Sequence, residues 1–222
     1  MKKLSKMLLL GSLLLTVWAC KKEVTVIDPG KETEALKGFT VTKIADKHLE
    51  LQTPETWLYI NPEGTQELLD SVFAMIDEGT FTQEVIDEIK KGQIVMFLEM
   101  VNGTQPTGRN LTIIETYVGA ATQNDLPSLA DYMEADYLQL GESQGLKGIA
   151  WVEHPLVVSL GSNSFMVMAV RYSIMGQESV VYQGISINRG NTYTFTYTVN
   201  SAEHSVETQE LFEKILSTVI FD

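Results

Sequence analysis

Three histidines and one cysteine, His48, His154, His204 and Cys20, are the side chains of this 222-residue sequence best suited to chemistry. Histidine changes charge near neutral pH and is the commonest general base. His154 stands between Glu153 and Pro155, and a histidine beside a carboxylate is the smallest unit that could accept a proton. Read plainly, it is a surface-loop histidine, with His48 on a strand and His204 in a loop before the last helix. No pair of histidines has the H-E-x-x-H spacing that puts two metal ligands on one helical face. Gly161-Ser162-Asn163-Ser164 lacks the G-x-S-x-G elbow of a serine nucleophile and reads as a turn between strands. Phosphate-cradling glycine loops and EF-hand loops are absent too. Two carboxylate faces remain: Glu84, Asp87 and Glu88, and Asp131 with Glu134, Asp136 being turned away. Oxygen ligands at such spacing can hold a hard cation. The simpler reading is the solvated side of an amphipathic helix. No catalytic, metal or cofactor residue is assigned.

Cys20 has a more specific setting. Lys2, Lys3 and Lys6 precede an apolar run, Met7–Val17, about right for a signal-peptide core and too short to span ~30 Å of hydrocarbon. Val17-Trp18-Ala19-Cys20 then resembles a bacterial lipobox, in which cysteine becomes the first mature residue and carries diacylglycerol on its sulfur. Residues 1–19 are therefore expected to be a lipoprotein signal peptide and 20–38 a polar tether with an Asp28-Pro29-Gly30 break. Residues 39–222 are expected to form one globular domain outside the cytoplasm, held to the cell envelope by lipid at Cys20. With one cysteine, neither an internal disulfide nor a cysteine zinc site can form.

The chain is 44% hydrophobic with a formal net charge of −13, so a packed core is expected over most of its length. Without the three leader lysines, 13 basic residues face 29 acidic ones, a net of −16. Such a chain repels nucleic-acid phosphates, and no nucleic-acid partner is expected.

The elements that would position these residues follow from periodicity. Tyr193, Phe195, Tyr197 and Val199 alternate with Thr192, Thr194, Thr196 and Thr198, which predicts a strand with aromatics on one face. Ser179–Asn188 carries Val181, Ile185 and Ile187 on one face and ends in an Arg189-Gly190 turn. Phe165–Met175 is apolar on both faces through Val170, as a covered central strand would be, and Gly176-Gln177 joins it to the next. Upstream, Phe39–Ile44 and Lys47–Thr53 read as strands, with Trp57 and Tyr59 entering an apolar environment. Thr65 and Thr82 are expected to cap two helices. Gln93–Val101 and Leu111–Val118 read as partner strands across a polar loop, Asn102–Asn110. Asp125-Leu126-Pro127 opens a helix to about Gly141, with Leu129, Tyr132, Met133, Tyr137 and Leu140 as its stripe. Ile149–Glu153 and Leu156–Leu160 read as one strand interrupted at Pro155. Ser205 caps the closing helix, with Val206, Leu211, Phe212, Ile215, Leu216 and Val219 inward. Met96, Met166 and Met168 are expected to fill the core, and with tyrosines they could line a groove for a small apolar ligand.

The expected fold class is α+β: an antiparallel sheet of about six to seven strands with helices on both faces. Pro54-Glu55-Thr56-Trp57 after a strand, the helix Leu126–Leu140 between strands, the hairpins of Phe165–Val199 and the terminal Leu216-Ser217-Thr218-Val219-Ile220-Phe221 together resemble the PsbP-like superfamily. That superfamily takes in an extrinsic photosystem II subunit and LpqN-type lipoproteins. The resemblance implies an α/β/α sandwich and a binding or assembly role, with no shared active site to carry over. A non-enzymatic envelope lipoprotein that binds a protein or small ligand is the functional expectation. The alternative is an envelope hydrolase whose site is assembled from distant residues.

Overall fold

Alternation of aromatic and threonine residues does become a sheet in the computed structural model. The structure describes residues 35–61, 83–103, 105–143, 145–174 and 177–222. In chain order the elements are β1 (Phe39–Ile44), β2 (Leu49–Pro54), β3 (Trp57–Ile60), α1 (Gln83–Lys90), β4 (Ile94–Val101), β5 (Gln105–Tyr117), α2 (Leu126–Ser143), β6 (Lys147–Leu160), β7 (Asn163–Ile174), β8 (Gln177–Asn188), β9 (Asn191–Asn200), α3 (Val206–Ser217) and β10 (Ile220–Phe221). The leader, Cys20, most of the tether, the helix expected from Thr65 and its neighbour's cap at Thr82 lie outside the described residues. So do Met175 and Gly176.

Seven antiparallel strands form one sheet in the order β3-β4-β5-β9-β8-β7-β6. The meander β7-β8-β9 sits inside it as expected, each strand bonded to the next. Arg189 and Gly190 make the two-residue β8–β9 turn with φ of 49° and 78°, the left-handed pair that matches the twist of a tight hairpin. A Cβ at Gly190 would overlap the Gly119 carbonyl oxygen, so this turn is packed as well as bent.

Each face of the sheet has its own cover. Phe165, Tyr182, Phe195 and Tyr197 meet Phe212, Ile215 and Leu216 of α3, together with Leu49 and Leu51 of β2. Met166, Met168, Val181 and Ile185 lie with Leu126, Met133 and Tyr137 of α2 on the opposite face. Val85 and Ile89 of α1 cover Ile94, Met96 and Leu98 of β4. Helices thus occupy both faces, as the apolar periodicities require. The methionines expected to line a groove are packed core.

One layer was not expected. β1, β2 and β10 form a separate three-stranded sheet. The terminal Leu216–Phe221 segment is not a helix end. α3 stops at Ser217, and Ile220 and Phe221 pair with Glu50 and Leu49. Thr218 makes the junction, its hydroxyl accepting from Gln52 N at 2.9 Å and donating to the Ile215 carbonyl at 2.7 Å. Phe221 then reaches Tyr193, with ring centroids 4.6 Å apart.

Smaller corrections share one cause: local pattern does not record where a neighbouring strand stops. The loop expected over Asn102–Asn110 is mostly strand, because β5 already pairs with β4 from Gln105. Its pairing with β9 begins only at Asn110, so Pro106 faces no second neighbour that needs its missing N–H. Pro155 lies within edge strand β6, where register shifts absorb it. His48 is not on a strand but in a left-handed turn between β1 and β2, φ 49°. Tyr132 is 41% exposed, since the buried stripe of α2 runs Leu126, Ala130, Met133, Tyr137, Gly141. Val206 is 67% exposed at the first turn of α3, before its stripe starts.

Phe195 has no exposed surface and meets Phe165 edge-on, with centroids 5.8 Å apart. Phe195→Ala is expected to lower the free energy of unfolding by about 3–5 kcal/mol in urea titrations. A loss under about 1 kcal/mol would mean that this face is not the closed core described.

Candidate functional site

In an antiparallel sheet, residues directly opposite each other point to the same face. One such row crosses all seven strands: Tyr59, Phe97, Leu111, Tyr197, Tyr182, Ala169 and Glu153, each paired with the next. It begins at Tyr59, ends at Glu153 and carries three aromatic rings between, Phe97, Tyr197 and Tyr182. Tyr59 stacks on Phe97 at 5.1 Å and Tyr182 on Tyr197 at 6.0 Å. Phe212 of α3 lies 6.0 Å from both Tyr182 and Tyr197, and Trp57 lies 5.5 Å from Tyr197.

The start of α3 brings the polar partners. The Ser205 hydroxyl accepts from Thr208 N at 3.3 Å, and the Thr208 hydroxyl donates to the Glu203 carbonyl at 2.9 Å. Asn200 Oδ1 accepts from Ala202 N at 3.0 Å, which sets the turn Ser201–Glu203. That scaffold places His204 against Tyr182 and Glu203 against Arg109. The Tyr182 hydroxyl meets Nδ1 of His204. Burial pushes the Tyr182 hydroxyl up to about 12, with the Glu153 charge adding to it. Which of the two atoms donates in this contact follows the histidine's tautomer.

Arg109 Nε donates to Glu203 Oε2 at 2.9 Å and lies 3.6 Å from Glu99 Oε2. The Glu203 hydrogen bond holds the guanidinium above its ordinary value, against the effect of burial. Glu99 also accepts from the Thr107 hydroxyl at 2.7 Å. Beside this cluster the buried Trp57 Nε1 has no hydrogen-bond partner among the described residues, while Arg109 reaches the Tyr197 hydroxyl. Burial pushes the Tyr197 hydroxyl up to about 12 as well, and nearby Arg109 pulls the other way.

Glu153 is half-buried at the β6 end of the row. Its carboxyl is held above the ordinary range, first by burial and then by the Glu213 charge, while Gln209 and His204 oppose the shift. His154, its neighbour in sequence, faces away. Its Nδ1 lies 2.8 and 2.9 Å from the two oxygens of Glu134 on α2, and its ring is 5.6 Å from Trp151. Strand alternation therefore separates the Glu153–His154 pair that adjacency in sequence suggested.

Among the described residues, neither His154 nor His204 holds both a hydroxyl and a carboxylate at hydrogen-bond distance. His204 has a hydroxyl and no carboxylate at ion-pair distance. His154 has a carboxylate and no hydroxyl hydrogen bond. Ser162 sits in the β6–β7 turn as expected, where Gly161 has φ 61° and a Cβ would overlap the Ser217 carbonyl oxygen. Of the carboxylate faces, Glu88 pairs with Lys91 at 2.9 Å and Glu134 with His154. No group of three His, Cys, Asp or Glu positioned for a metal ion occurs among the described residues. No described helix is long and apolar enough to cross a membrane.

Sequence reasoning singled out His204 but missed Tyr182, Tyr197, Arg109, Glu99 and Glu203 as one cluster. The aromatic alternation of β9 was visible. Its alignment with Tyr182 depends on the register of β8, and Arg109 lay in a segment read as loop.

No protein-family model matches the chain, and no curated protein matches it. Solved structures to which it is similar include a protein from Bacteroides thetaiotaomicron, at 12% identity over 78% of this chain with a TM-score of 0.44. This chain spans 45% of the length of that protein. Another is the cyanobacterial PsbP (CyanoP) from Synechocystis, at 11% identity over 87% of this chain and 98% of the other, TM-score 0.48. A third is LpqN of Mycobacterium tuberculosis, described as involved in cell envelope biogenesis, at 14% identity over 82% and 88%, TM-score 0.40.

Because the fold raises the Glu153 pKa above 4.5, it favours the protonated carboxyl. The stability due to this group is complete below pH 4.5 and is lost as pH rises through the folded-state value. Glu153→Gln is therefore expected to be more stable than the parent at about pH 7, with the difference closing below pH 4.5 in urea titrations. A variant less stable than the parent at neutral pH would contradict that sign.

Proposed function

We propose that this protein is a non-enzymatic binding module of the cell envelope, tethered through lipid on Cys20 and presenting the Trp57–Tyr197–Arg109 end of its sheet to a ligand or partner. The observation that carries the reading is the buried Trp57 indole N–H, without a partner among the described residues, beside the partly exposed Arg109–Glu99–Glu203 cluster. Buried polar groups are ordinarily paired, and one left without a protein partner calls for an explanation. The tyrosines here are poor nucleophiles: Tyr182 and Tyr197 both hold their protons far above neutral pH. A tether of about 19 residues would give the domain reach from a membrane surface without restraining its orientation.

Two measurements test this reading. Mass spectrometry of the membrane fraction is expected to find a diacylated amino-terminal peptide beginning at Cys20, and Cys20→Ala is expected to move the protein to the soluble fraction. A free amino terminus beyond residue 20, or unchanged membrane association of Cys20→Ala, would remove the anchor from the proposal. For the binding role, the purified mature protein is expected to turn over no carboxylic ester, phosphoester or glycoside. Turnover that disappears in His204→Ala or His154→Ala would replace the reading with the hydrolase.

A further inference from the structure

We propose that Asn102 is a site of spontaneous covalent modification: its side-chain amide condenses with the main-chain nitrogen of Gly103 to a succinimide, which water opens to aspartate or isoaspartate. The inference goes beyond the binding reading above and does not depend on it.

The turn itself dictates the dipeptide. β4 and β5 close with Val101 opposite Gln105, and the chain leaving β4 has φ of 52° at Asn102 and 70° at Gly103. Left-handed backbone of this kind is costly for most residues, and glycine and asparagine adopt it most readily. Asn-Gly is accordingly a preferred hairpin pair. It is also a labile one, because asparagine is among the thermolabile side chains and glycine places no Cβ beside the attacking nitrogen. The sequence holds eight asparagines, and Asn102 alone precedes a glycine. Each of the other seven precedes a residue with a Cβ.

The surroundings leave the reaction unobstructed. Asn102 and Gly103 are both exposed. The Gly103 N–H makes no backbone hydrogen bond to a described residue. A Cβ at Gly103 would meet no heavy atom within 4 Å, so a five-membered ring has room there. Several other asparagine amides are held in place. Nδ2 donates to the Val219 carbonyl at 2.7 Å from Asn163, to Glu115 Oε1 at 2.8 Å from Asn191 and to the Gly108 carbonyl at 3.2 Å from Asn110. Those side chains must give up a hydrogen bond before Cγ can turn onto the next nitrogen.

The Gly103 nitrogen gives up its proton and bonds to Cγ of Asn102. The Cγ–Nδ2 bond breaks, and Nδ2 leaves as ammonia with that proton. Water then adds at one of the two ring carbonyls. Opening at Cγ gives aspartate, and opening at the main-chain carbon gives isoaspartate; either carboxyl releases its proton to solvent. Nothing is oxidised or reduced, and water is the only co-reactant. The deprotonated nitrogen is the nucleophile, so the rate rises with pH. The product adds one negative charge to the hairpin that carries Glu99 and Arg109.

The test incubates the whole mature chain, in phosphocholine micelles and mildly alkaline buffer, beside a peptide of residues 101–105. Peptide mapping by mass spectrometry with electron-transfer fragmentation locates the products, and Asn102→Asp supplies the charge standard for ion exchange. Asn102 is expected to be the first asparagine converted, at a rate within about tenfold of the peptide, since exposed turns open at little cost. Isoaspartate is expected among the products. Asn102→Gln is expected to remove the early acidic species while its unfolding temperature stays level. If Asn102 is intact once the peptide has converted, or another asparagine converts first, the proposal fails. Aspartate with no isoaspartate would point to direct hydrolysis of the side-chain amide and overturn the succinimide. Persistence of the acidic species in Asn102→Gln would place the modification elsewhere and overturn the site.

Discussion

Docking of α3 on the aromatic row is the contact from which the rest of the polar end follows. Phe212 lies 6.0 Å from both Tyr182 and Tyr197, and α3 can come this near because β8 carries Gly184 at the crossing. A Cβ at Gly184 would come within 2.6 Å of Leu216 Cδ1. Burying an aromatic ring stabilises the fold through its large apolar area, but a tyrosine carries a hydroxyl into the same interior. Each ring that α3 covers therefore raises the question of what its hydroxyl meets. For Tyr182 the answer is His204, supplied by the turn that starts the same helix. For Tyr197 it is Arg109, whose guanidinium also holds Glu203.

The capping of α3 and the make-up of the polar end are consequently one arrangement. Asn200, Ser205 and Thr208 shape five residues of chain between β9 and α3. Those residues include both His204 and Glu203. A helix start that satisfies its own amides also fixes an imidazole and a carboxylate over the sheet. On the other face nothing comparable occurs: His154 and Glu134 meet at the surface, 66% and 47% exposed. A pair in that setting contributes little and positions nothing.

Much of the fold was legible because the meander is built from strong alternation and the tight Arg189-Gly190 turn. β7, β8 and β9 followed from period-two patterns, and α2 and α3 from their caps and apolar stripes. Patterns confined to one segment could not report pairing between segments. β10 is two residues long, too short for any periodicity, and its strand character comes wholly from β2. Pro106 looked like loop chemistry and is strand because β9 stops short of it. Tyr132 and Val206 were apolar residues assigned inward by type, whereas helix rotation and the first-turn position turned them outward. The candidate site was less legible for the same reason. Its members come from β3, β4, β5, β8, β9 and the turn before α3, and only register brings them together.

The distinction between catalysis and binding then turns on what each polar group is prepared to do. A general base needs a pKa near the working pH and a proton donor in reach. Burial keeps the hydroxyls of Tyr182 and Tyr197 protonated. Arg109 cannot lose its proton, and its charge is spent on Glu203 and Glu99. Glu153 is the one shifted carboxyl on the row, but its near neighbours are Gln209, Glu213 and His204 rather than a free hydroxyl. The proposed binding role asks of such an array a fixed shape and a hydrogen-bond pattern. The aromatic row gives that pattern its rigidity, because each ring is packed between its strand neighbours and α3.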